Sequence, residues 1–493
     1  MKNSNKIILA FISLCLITGF IYLNYDIPKR KQKARTGQEL SKVYCASCHL
    51  YPEPNVLPQS IWQNTLLPEM KNRMGLGNLK SLVSKIGYDE YIDLSQKGVY
   101  ALSPMLSNEE WMLIEKFYID NSPTVSSPQI TKPHNFLQPS SVQILKNLEQ
   151  KQGLTTYFGI ENNYLLTANV LGELKATDLQ TKKKHSVQLP SPIVEIKNNI
   201  VLCIGGNMNP TEEKLGSLHQ FNADFKLQKL LIDKLHRPVD FEYIDLNNDK
   251  IKDYLIAEFG NHTGQITFID GKSKERKIIG TNPGARNFVL RDVNNDGQMD
   301  FYVLTTQARE RISLFINEGN ANFKERIILE FPPHHGSSYF QLEDFNNDGK
   351  EEIIMANGDN ADYSIVKKSF HGIRVFEHQK KTWKEVFFFP SYGATNLLKV
   401  DLNDDGLMDM VSSSFFVEPE FKKTEQVIYF INEGGFKFKI SHPKLPEMIP
   451  MTMRLGDANK DNNIEVYIGN FEFQPNSNPN FNFIESVIIT PEF

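Results

Sequence analysis

Hydrophobic and polar residues alternate in two different ways along the chain. Between residues 36 and 122, apolar residues recur at helical spacing, as in TGQELSKVYCASCH. SIWQNTLLPEMKNRMG predicts a second helix interrupted near Pro68, and LSNEEWMLIEKFYIDNSP predicts a third that begins with Ser107 and Glu110 in capping-box spacing. Residues 36–122 are therefore predicted to form a small all-α domain.

The pattern changes in the second part of the chain. Residues 123–141 are rich in Pro and Ser without periodicity, which predicts a linker. From residue 142 to residue 493, short runs of β-branched and aromatic residues are separated by Gly, Asn and Asp. This pattern predicts an all-β domain over 142–493.

The first 35 residues are predicted to be a membrane segment. The charged start MKNSNK precedes an uncharged run from Ile7 to Tyr25, about the length needed to cross a bilayer. No small-residue cleavage site follows, which favours an uncleaved anchor. The basic flank from Lys29 to Arg35 would by itself favour the cytoplasm, so the orientation depends on the next motif.

Composition narrows the function classes. Hydrophobic residues make up 40% of the 493 residues and aromatic residues 11%, which is typical of a globular chain. With 54 basic and 59 acidic residues, the net charge is −5. Because there is no basic excess to neutralise phosphates, nucleic acid is excluded as an expected partner.

Cys45 and Cys48 lie three residues apart, with His49 directly after them. C-x-x-C-H is the spacing at which two thiols attach one haem while the imidazole ligates its iron. A redox C-x-x-C pair lacks the surrounding βαβ pattern, and a zinc site lacks a second ligand pair. The motif predicts one covalent haem c and therefore an exported, extracytoplasmic protein anchored by the N-terminal helix.

The second axial ligand of the haem is predicted to be a methionine, because a thioether suits an electron-transfer haem. Met70 is the preferred candidate, and Met74 and Met105 remain alternatives. Residues 36–122 resemble the c-type cytochrome pattern, in which a helix with Trp near its start supplies the methionine. Trp62 precedes Met70 in this way.

An acidic nine-residue pattern recurs five times at intervals of about 50 residues, the period of a propeller blade. The repeats are DLNNDKIKD, DVNNDGQMD, DFNNDGKEE, DLNDDGLMD and DANKDNNIE. Positions 1, 3, 5 and 9 carry oxygen side chains, which calcium requires. The predicted ligands are Asp245, Asn247, Asp249 and Asp253; Asp292, Asn294, Asp296 and Asp300; Asp344, Asn346, Asp348 and Glu352; Asp401, Asn403, Asp405 and Asp409; and Asp457, Asn459, Asp461 and Glu465.

An EF-hand does not explain these repeats. Its bidentate Glu at position 12 is replaced by residues such as Ile256 and Val303, and each loop is followed by a strand-like run rather than a helix. Asx-rich turns without metal remain the alternative. The repeats resemble the FG-GAP/VCBS family, which implies a β-propeller with up to five structural calcium ions. Two further segments before residue 238 bring the expected blade count to about seven.

A second polar cluster could converge on one end of the propeller. Its members are His334, His335, Asp359, Asp362, Tyr363, His371 and Arg374. Hydrogen bonds that support loops are the alternative explanation.

Three functions remain open. The predicted fold class is multidomain: a membrane helix, a small all-α cytochrome c domain and an all-β propeller. The chain resembles bacterial exported proteins that fuse a c-type haem domain to FG-GAP repeats. The preferred interpretation is electron transfer through the haem, with the propeller docking a redox or other protein partner. The alternatives are a propeller oxidoreductase that passes electrons to the haem, and an adhesion or binding propeller. Few tryptophans follow residue 111, which disfavours a quinoprotein enzyme.

Overall fold

The structure is a computed structural model. It describes residues 35–129, 132, 135–146, 153–222, 225–361, 364–458, 460–472 and 484–493.

The predicted fold class is wrong. It began with a membrane helix and an all-α cytochrome domain, but 44% of the described residues lie in strands and 15% in helices. A membrane span requires about 20 apolar residues, and no described helix is both long and apolar enough to cross a bilayer. Residues 1–34, which contain most of the predicted anchor, lie outside the described residues. The helices form a short segment that packs on a larger β structure.

The helices that precede the sheets are short. They are α1 (Gly37–Tyr44), α2 (Gln59–Ile61), a π-helical turn (Trp62–Leu66), α3 (Leu67–Arg73), α4 (Leu79–Ile86), α5 (Tyr88–Gln96) and α6 (Asn108–Asn121). We call residues 37–121 the helical segment. A 3₁₀ turn lies at Pro54–Val56, and a second one at Pro419–Phe421 precedes α7 (Lys422–Glu425).

Local sequence explains where these helices begin. The predicted capping box of α6 is confirmed: Ser107 Oγ accepts the N–H of Glu110, and Glu110 Oε2 accepts the N–H of Ser107. Pro68 lies in the first turn of α3, where a missing N–H is tolerated. The core of the segment is built around Trp62 and Tyr118, whose ring centroids are 4.5 Å apart.

Within the described residues, the strands pair into six sheets, one of which has eight strands and joins two blades. We divide these sheets into seven units of four antiparallel strands, here called blades 1 to 7. Blade 1 contains β3 (Gly153–Glu161), β4 (Tyr164–Asn169), β5 (Glu173–Asp178) and β6 (Lys184–Gln188). Blade 2 contains β7 (Ile193–Lys197), β8 (Ile200–Cys203), β9 (Gly216–Phe221) and β10 (Leu227–Leu235). Blade 3 contains β11 (Pro238–Ile244), β12 (Asp253–Glu258), β13 (Gln265–Ile269) and β14 (Arg276–Gly280).

The remaining blades follow the same plan. Blade 4 contains β15 (Ala285–Arg291), β16 (Asp300–Thr305), β17 (Glu310–Asn317) and β18 (Phe323–Phe331). Blade 5 contains β19 (Ser337–Glu343), β20 (Glu352–Asn357), β21 (Gly372–Gln379) and β22 (Thr382–Pro390). Blade 6 contains β23 (Ala394–Val400), β24 (Asp409–Ser414), β25 (Val427–Asn432) and β26 (Phe438–His442). Blade 7 contains β27 (Pro450–Gly456), β28 (Glu465–Glu472), β29 (Ile484–Pro491) and β2 (Ser140–Lys146).

The blades form a closed ring. The first strand of each blade contacts the first strand of the next, from β3 through β7, β11, β15, β19 and β23 to β27, and β27 contacts β3. Blade 7 takes its outer strand from the other end of the domain, since β2 pairs antiparallel with β29, with Val142 opposite Ile489. β1 (Asn135–Leu137) pairs parallel with β26 at the edge of blade 6. This arrangement is a seven-bladed β-propeller.

Buried apolar side chains fill the space between neighbouring blades. Between blades 3 and 4, for example, Leu255 and Phe268 of blade 3 share one buried cluster with Phe301 of blade 4. At the ring's centre, charged side chains replace apolar ones. Lys197 Nζ lies 2.7 Å from Asp240 Oδ1, which joins blades 2 and 3.

The two ends of the ring differ. Because neighbouring strands are antiparallel, loops from first to second strands lie at one end, and loops from second to third strands lie at the other. The helical segment lies on the second end, where Arg73 Nη2 is 3.2 Å from Nδ1 of His262 in the β12–β13 loop. Val366, from the β20–β21 loop, packs into the core of the helical segment. We call this end the helical face and the opposite end the acidic face.

Candidate functional site

The five acidic repeats occupy equivalent places in the fold. They form the loops between the first and second strands of blades 3 to 7, on the acidic face. Position 9 of each repeat is the first residue of the second strand and is buried; these residues are Asp253, Asp300, Glu352, Asp409 and Glu465. Each of these carboxylates accepts the backbone N–H of loop position 2 at 2.9–3.0 Å. The loops are therefore fixed to the blades through their last carboxylate.

All five loops share one backbone conformation. Position 4 has positive φ in every loop; these residues are Asn248, Asn295, Asn347, Asp404 and Lys460. Position 6 also has positive φ, including Lys250 at 71° and Asn462 at 68°, which replace the glycine of the other three loops. The N–H of position 6 donates to the carboxylate of position 1 in every loop, at 2.7–3.0 Å. The conformation therefore persists where glycine is absent.

The carboxylates of these loops fit a cation. Among the described residues, Asp457, Asp461 and Glu465 form the group whose ligand oxygens all lie within 4.8 Å of one another. In the first loop, Asp245 Oδ1 is buried and has no hydrogen-bond partner among the described residues. Oxygen-rich sites of this kind suit calcium. Asn459, a predicted ligand of the fifth loop, lies outside the described residues.

The electrostatics of the loops also favour a cation. Burial, with a contribution from the nearby carboxylates of Asp344 and Asp348, raises the pKa of Glu352 to about 7. Burial also raises the pKa of Asp409 to about 6, and the carboxylates of Asp405 and Asp401 add to the effect. A bound cation would offset this repulsion.

The C-x-x-C-H motif lies on the helical face. Cys45 is the C-terminal capping residue of α1 and is buried, whereas Cys48 is exposed; neither forms a disulfide. His49 Nδ1 is 2.8 Å from the carbonyl oxygen of Leu50. With Nδ1 donating to this carbonyl, Nε2 is left as the nitrogen that could ligate a metal. Two free thiols and an oriented imidazole therefore fit the attachment chemistry of a covalent haem.

The surroundings of the motif come from both parts of the fold. Burial raises the pKa of Cys45 to about 11, with Tyr118 as its hydrogen-bonding neighbour. Burial lowers the pKa of His49, and the positive charges of Arg73 and Arg309 lower it further. Arg309 belongs to the propeller, and its Nε donates a 2.8 Å hydrogen bond to the carbonyl oxygen of Cys48.

The three candidate methionines differ in burial. Met74 is buried in the apolar cluster that contains Cys45, and Met70 packs against that cluster while partly buried. Met105 is 44% exposed. The choice of Met70 as axial ligand stays a prediction.

The polar cluster in the loops flanking blade 5 is tied together by internal hydrogen bonds. Glu310 accepts the N–H groups of Gly336 and Ser337 at 3.2 and 2.8 Å. Asn357 Nδ2 donates to the carbonyl oxygen of His335, and Arg374 Nε donates to Asn357 Oδ1. Asp362 and Tyr363 lie outside the described residues. The bonds that join His335 and Arg374 to Asn357 support the loop-support explanation.

Sequence reasoning missed the charged residues at the ring's centre. Arg454 of blade 7 makes a 2.7 Å ion pair with Glu195 of blade 2, although blade 1 lies between these blades in the ring. Arg454 also lies over the ring of Tyr157 of blade 1, 5.3 Å from the centroid. The sequence feature that could have revealed these residues is a charged residue within an otherwise apolar inner strand, such as Glu195 in IVEIK.

Comparison with known proteins identifies the repeats. Residues 245–303 and 292–355 match the FG-GAP-like repeat. These ranges contain the first three acidic loops, so the predicted FG-GAP-like repeats are confirmed there. No curated protein sequence matches the chain.

The solved structures that align with this chain share little sequence with it. The crystal structure of the N-terminal domain of Nup159 is 13% identical, covers 74% of this chain and 99% of its own, and has a TM-score of 0.42. Nup159 also appears in an S. cerevisiae complex with dbp5, at 13% identity, 74% and 99% coverage and a TM-score of 0.41. BBS1N in complex with ARL6DN is 9% identical, with 73% and 97% coverage and a TM-score of 0.44.

Proposed function

We propose that the chain is a calcium-stabilised binding propeller that presents its helical face to a protein partner. The observation that carries this proposal is the set of five acidic loops with one conformation, which match FG-GAP-like repeats over blades 3 to 5. Calcium at these loops would hold the first and second strands of each blade together. The acidic face would then be structural, which leaves the helical face for recognition.

Exposed apolar side chains support partner binding at the helical segment. Leu79, Tyr88, Leu102 and Met112 are large, apolar and each more than half exposed. Covering such side chains is favourable, at roughly 25 cal/mol per Å² of apolar area removed from water. A partner that binds here would gain this energy without displacing any blade.

Site-specific photocrosslinking tests the binding proposal. A photoreactive residue would replace Leu102 on the helical segment, which is 71% exposed, or Ile278 on the outer strand of blade 3, which is 56% exposed. In the native host, we expect a discrete crosslinked protein from position 102, and none from position 278. Equal patterns from both positions, or no adduct from either, would contradict binding through the helical face.

A second candidate function is electron transfer by a covalent haem at Cys45, Cys48 and His49. It is supported by the hydrogen bond of His49 Nδ1, which leaves Nε2 as the ligating nitrogen. The haem would supply one-electron chemistry. Cys45 and Cys48 would attach it, and the carbonyl of Leu50 would fix the orientation of the imidazole. This function requires an extracytoplasmic location.

The haem proposal has a direct spectroscopic test. The protein would be exported in a host that has haem-attachment machinery, and its absorption spectrum would be recorded in the oxidised and reduced states. We expect a haem spectrum that survives denaturation in the wild type and is absent in Cys45→Ala/Cys48→Ala. A wild-type protein without covalent haem would rule out this second function and leave the binding propeller.

A further inference from the structure

We propose that Arg309 of the propeller is a positioning residue for the C-x-x-C-H motif, because it holds the peptide group that carries His49. This inference rests on the second proposed function, in which Cys45, Cys48 and His49 hold a covalent haem. The motif would then be completed by two parts of the fold. The helical segment supplies the thiols and the imidazole, and blade 4 fixes the direction in which the imidazole points.

The contact between Arg309 and the motif is a hydrogen bond to the backbone. Nε of Arg309 donates to the carbonyl oxygen of Cys48 at 2.8 Å, although 261 residues separate the two in sequence. This carbonyl belongs to the planar peptide group that joins Cys48 to His49. Hydrogen bonds from a charged donor are stronger than those between neutral groups. Arg309 therefore restrains the backbone at the point where His49 leaves it.

The second half of the motif lies beyond the helix that begins it. α1 ends at Tyr44, and the N–H of Cys45 still donates to the carbonyl oxygen of Ser41 at 2.8 Å. Ser47 Oγ turns back to the carbonyl oxygen of Tyr44 at 2.7 Å. Carbonyl groups past the end of a helix need partners from outside it. The helix thus fixes the start of the motif, and the propeller supplies the bond at Cys48.

The local hydrogen bond of His49 does not fix its ring within the molecule. His49 Nδ1 is 2.8 Å from the carbonyl oxygen of Leu50, which is the next residue in the chain. This bond sets the ring relative to its own backbone and selects Nε2 as the ligating nitrogen. The direction of Nε2 in the whole fold therefore depends on the backbone at residues 48 and 49, which Arg309 holds.

Arg309 is itself presented by a well-supported loop. Thr305 Oγ1, at the end of β16, donates to the carbonyl oxygen of Arg309 at 3.1 Å, and Glu310 is buried at the start of β17. Ala308 has φ of 54°, a left-handed conformation that is unfavourable for alanine. Such strain is concentrated at functional sites, and precise positioning requires a rigid support. Blade 4 meets this requirement for Arg309.

Three variants of the exported full-length protein test the hydrogen bond. Arg309→Gln removes the charge but keeps an N–H donor, because Nε2 of glutamine is as many bonds from the backbone as Nε of arginine. Arg309→Met has the same length and no donor. Arg326→Met is the control, because Arg326 is an exposed arginine on the outer strand of the same blade.

Two measurements report the role of Arg309. The first is the fraction of chains that carry covalent haem. The second is the set of proton NMR shifts of the haem methyl groups in the oxidised state, which depend on the orientation of the axial imidazole. We expect Arg309→Met to change the methyl shifts and to lower the fraction with haem. Arg309→Gln and Arg326→Met should keep the wild-type values of both.

The outcomes separate this inference from the function on which it rests. A wild type without covalent haem removes both. A wild type with covalent haem, and wild-type methyl shifts and haem content in Arg309→Met, removes only the role of Arg309. Equal changes in Arg309→Gln and Arg309→Met would assign the effect to charge and overturn the hydrogen bond, as would equal changes in Arg309→Met and Arg326→Met. Loss of haem in Arg309→Met alone would support the proposal.

Discussion

The conformation of each acidic loop depends on single residues with left-handed backbone. Substitution at position 6 of a loop tests this dependence. Gly297 has φ of 80°, and a Cβ added there would meet no atom within 4 Å. Gly297→Ala should therefore lower the free energy of unfolding by about 1 kcal/mol, through backbone strain alone. Urea unfolding measures this change.

Lys250 provides the matched control at the same loop position. Its φ is 71°, so Lys250→Gly relieves strain where Gly297→Ala introduces it. We expect Lys250→Gly to leave stability unchanged or to raise it. If both variants lose the same stability, the loops are sensitive to any substitution rather than to φ.

His262 should make the joint between the propeller and the helical segment sensitive to acid. Burial, reinforced by the charges of Arg73 and Lys85 against the opposing charge of Glu212, lowers the pKa of His262 to about 4. Its usual value is 6.5. The unfolded chain therefore binds a proton that the folded chain excludes, so stability is lost as pH falls from 6.5 towards 4.

This effect can be measured by unfolding at several pH values. Between pH 6.5 and 4, unfolding of the wild type should bind more protons than unfolding of His262→Gln, by at most one proton. The control variant is His185→Gln, because His185 is a partly exposed histidine on β6 of the propeller. A His262→Gln variant with the wild-type pH slope would contradict the assignment.

At the scale of an element, the fifth acidic loop is the clearest candidate for a cation site. Asp457, Asp461 and Glu465 bring their oxygens together, so Asp461→Asn should weaken calcium binding there by about tenfold, because it removes an anionic ligand. Asp178→Asn is the control, because Asp178 accepts the N–H groups of Gln180 and Thr181 in a turn outside the repeats. Calorimetric titration that gives Asp461→Asn the wild-type affinity would argue against this site.

The strand β2 makes a separate prediction, because it closes the ring by pairing with β29. A chain that begins at residue 138 keeps this strand, whereas one that begins at residue 147 leaves the edge of β29 unpaired. The longer chain should unfold cooperatively, and the shorter one should aggregate or lose its cooperative transition. Thermal unfolding followed by circular dichroism compares them, and equal transitions would show that β2 is dispensable.

The elements also show what the sequence could reveal. The acidic loops were predictable because the hydrogen bonds within each nine-residue loop join residues at most seven apart, such as Leu246 and Asp253. The contact of Arg309 with Cys48 spans 261 residues, and no local pattern indicates it. The fold class was wrong for a related reason: periodicity predicts that residues 36–122 are helical, but not what those helices pack against.

The whole molecule divides into an acidic face and a helical face, and this division determines how calcium should act. Five loops on one face each join the first two strands of a blade, so removal of the proposed calcium ions would leave clustered carboxylates without compensation. The buried position-9 residues, such as Glu352 and Asp409, would carry most of this cost. The helical segment lies on the opposite face and has its own core.

Chelation should therefore destabilise the propeller as a unit. Each site saturated at 100 times its dissociation constant contributes about 2.7 kcal/mol, and 1 kcal/mol shifts the melting temperature of a large domain by roughly 2–4 °C. Excess chelator should lower the melting temperature by at least several degrees, and calcium should restore it better than magnesium, which needs stricter octahedral geometry. A melting curve that does not change in chelator would mean that the five loops are stable Asx turns without metal.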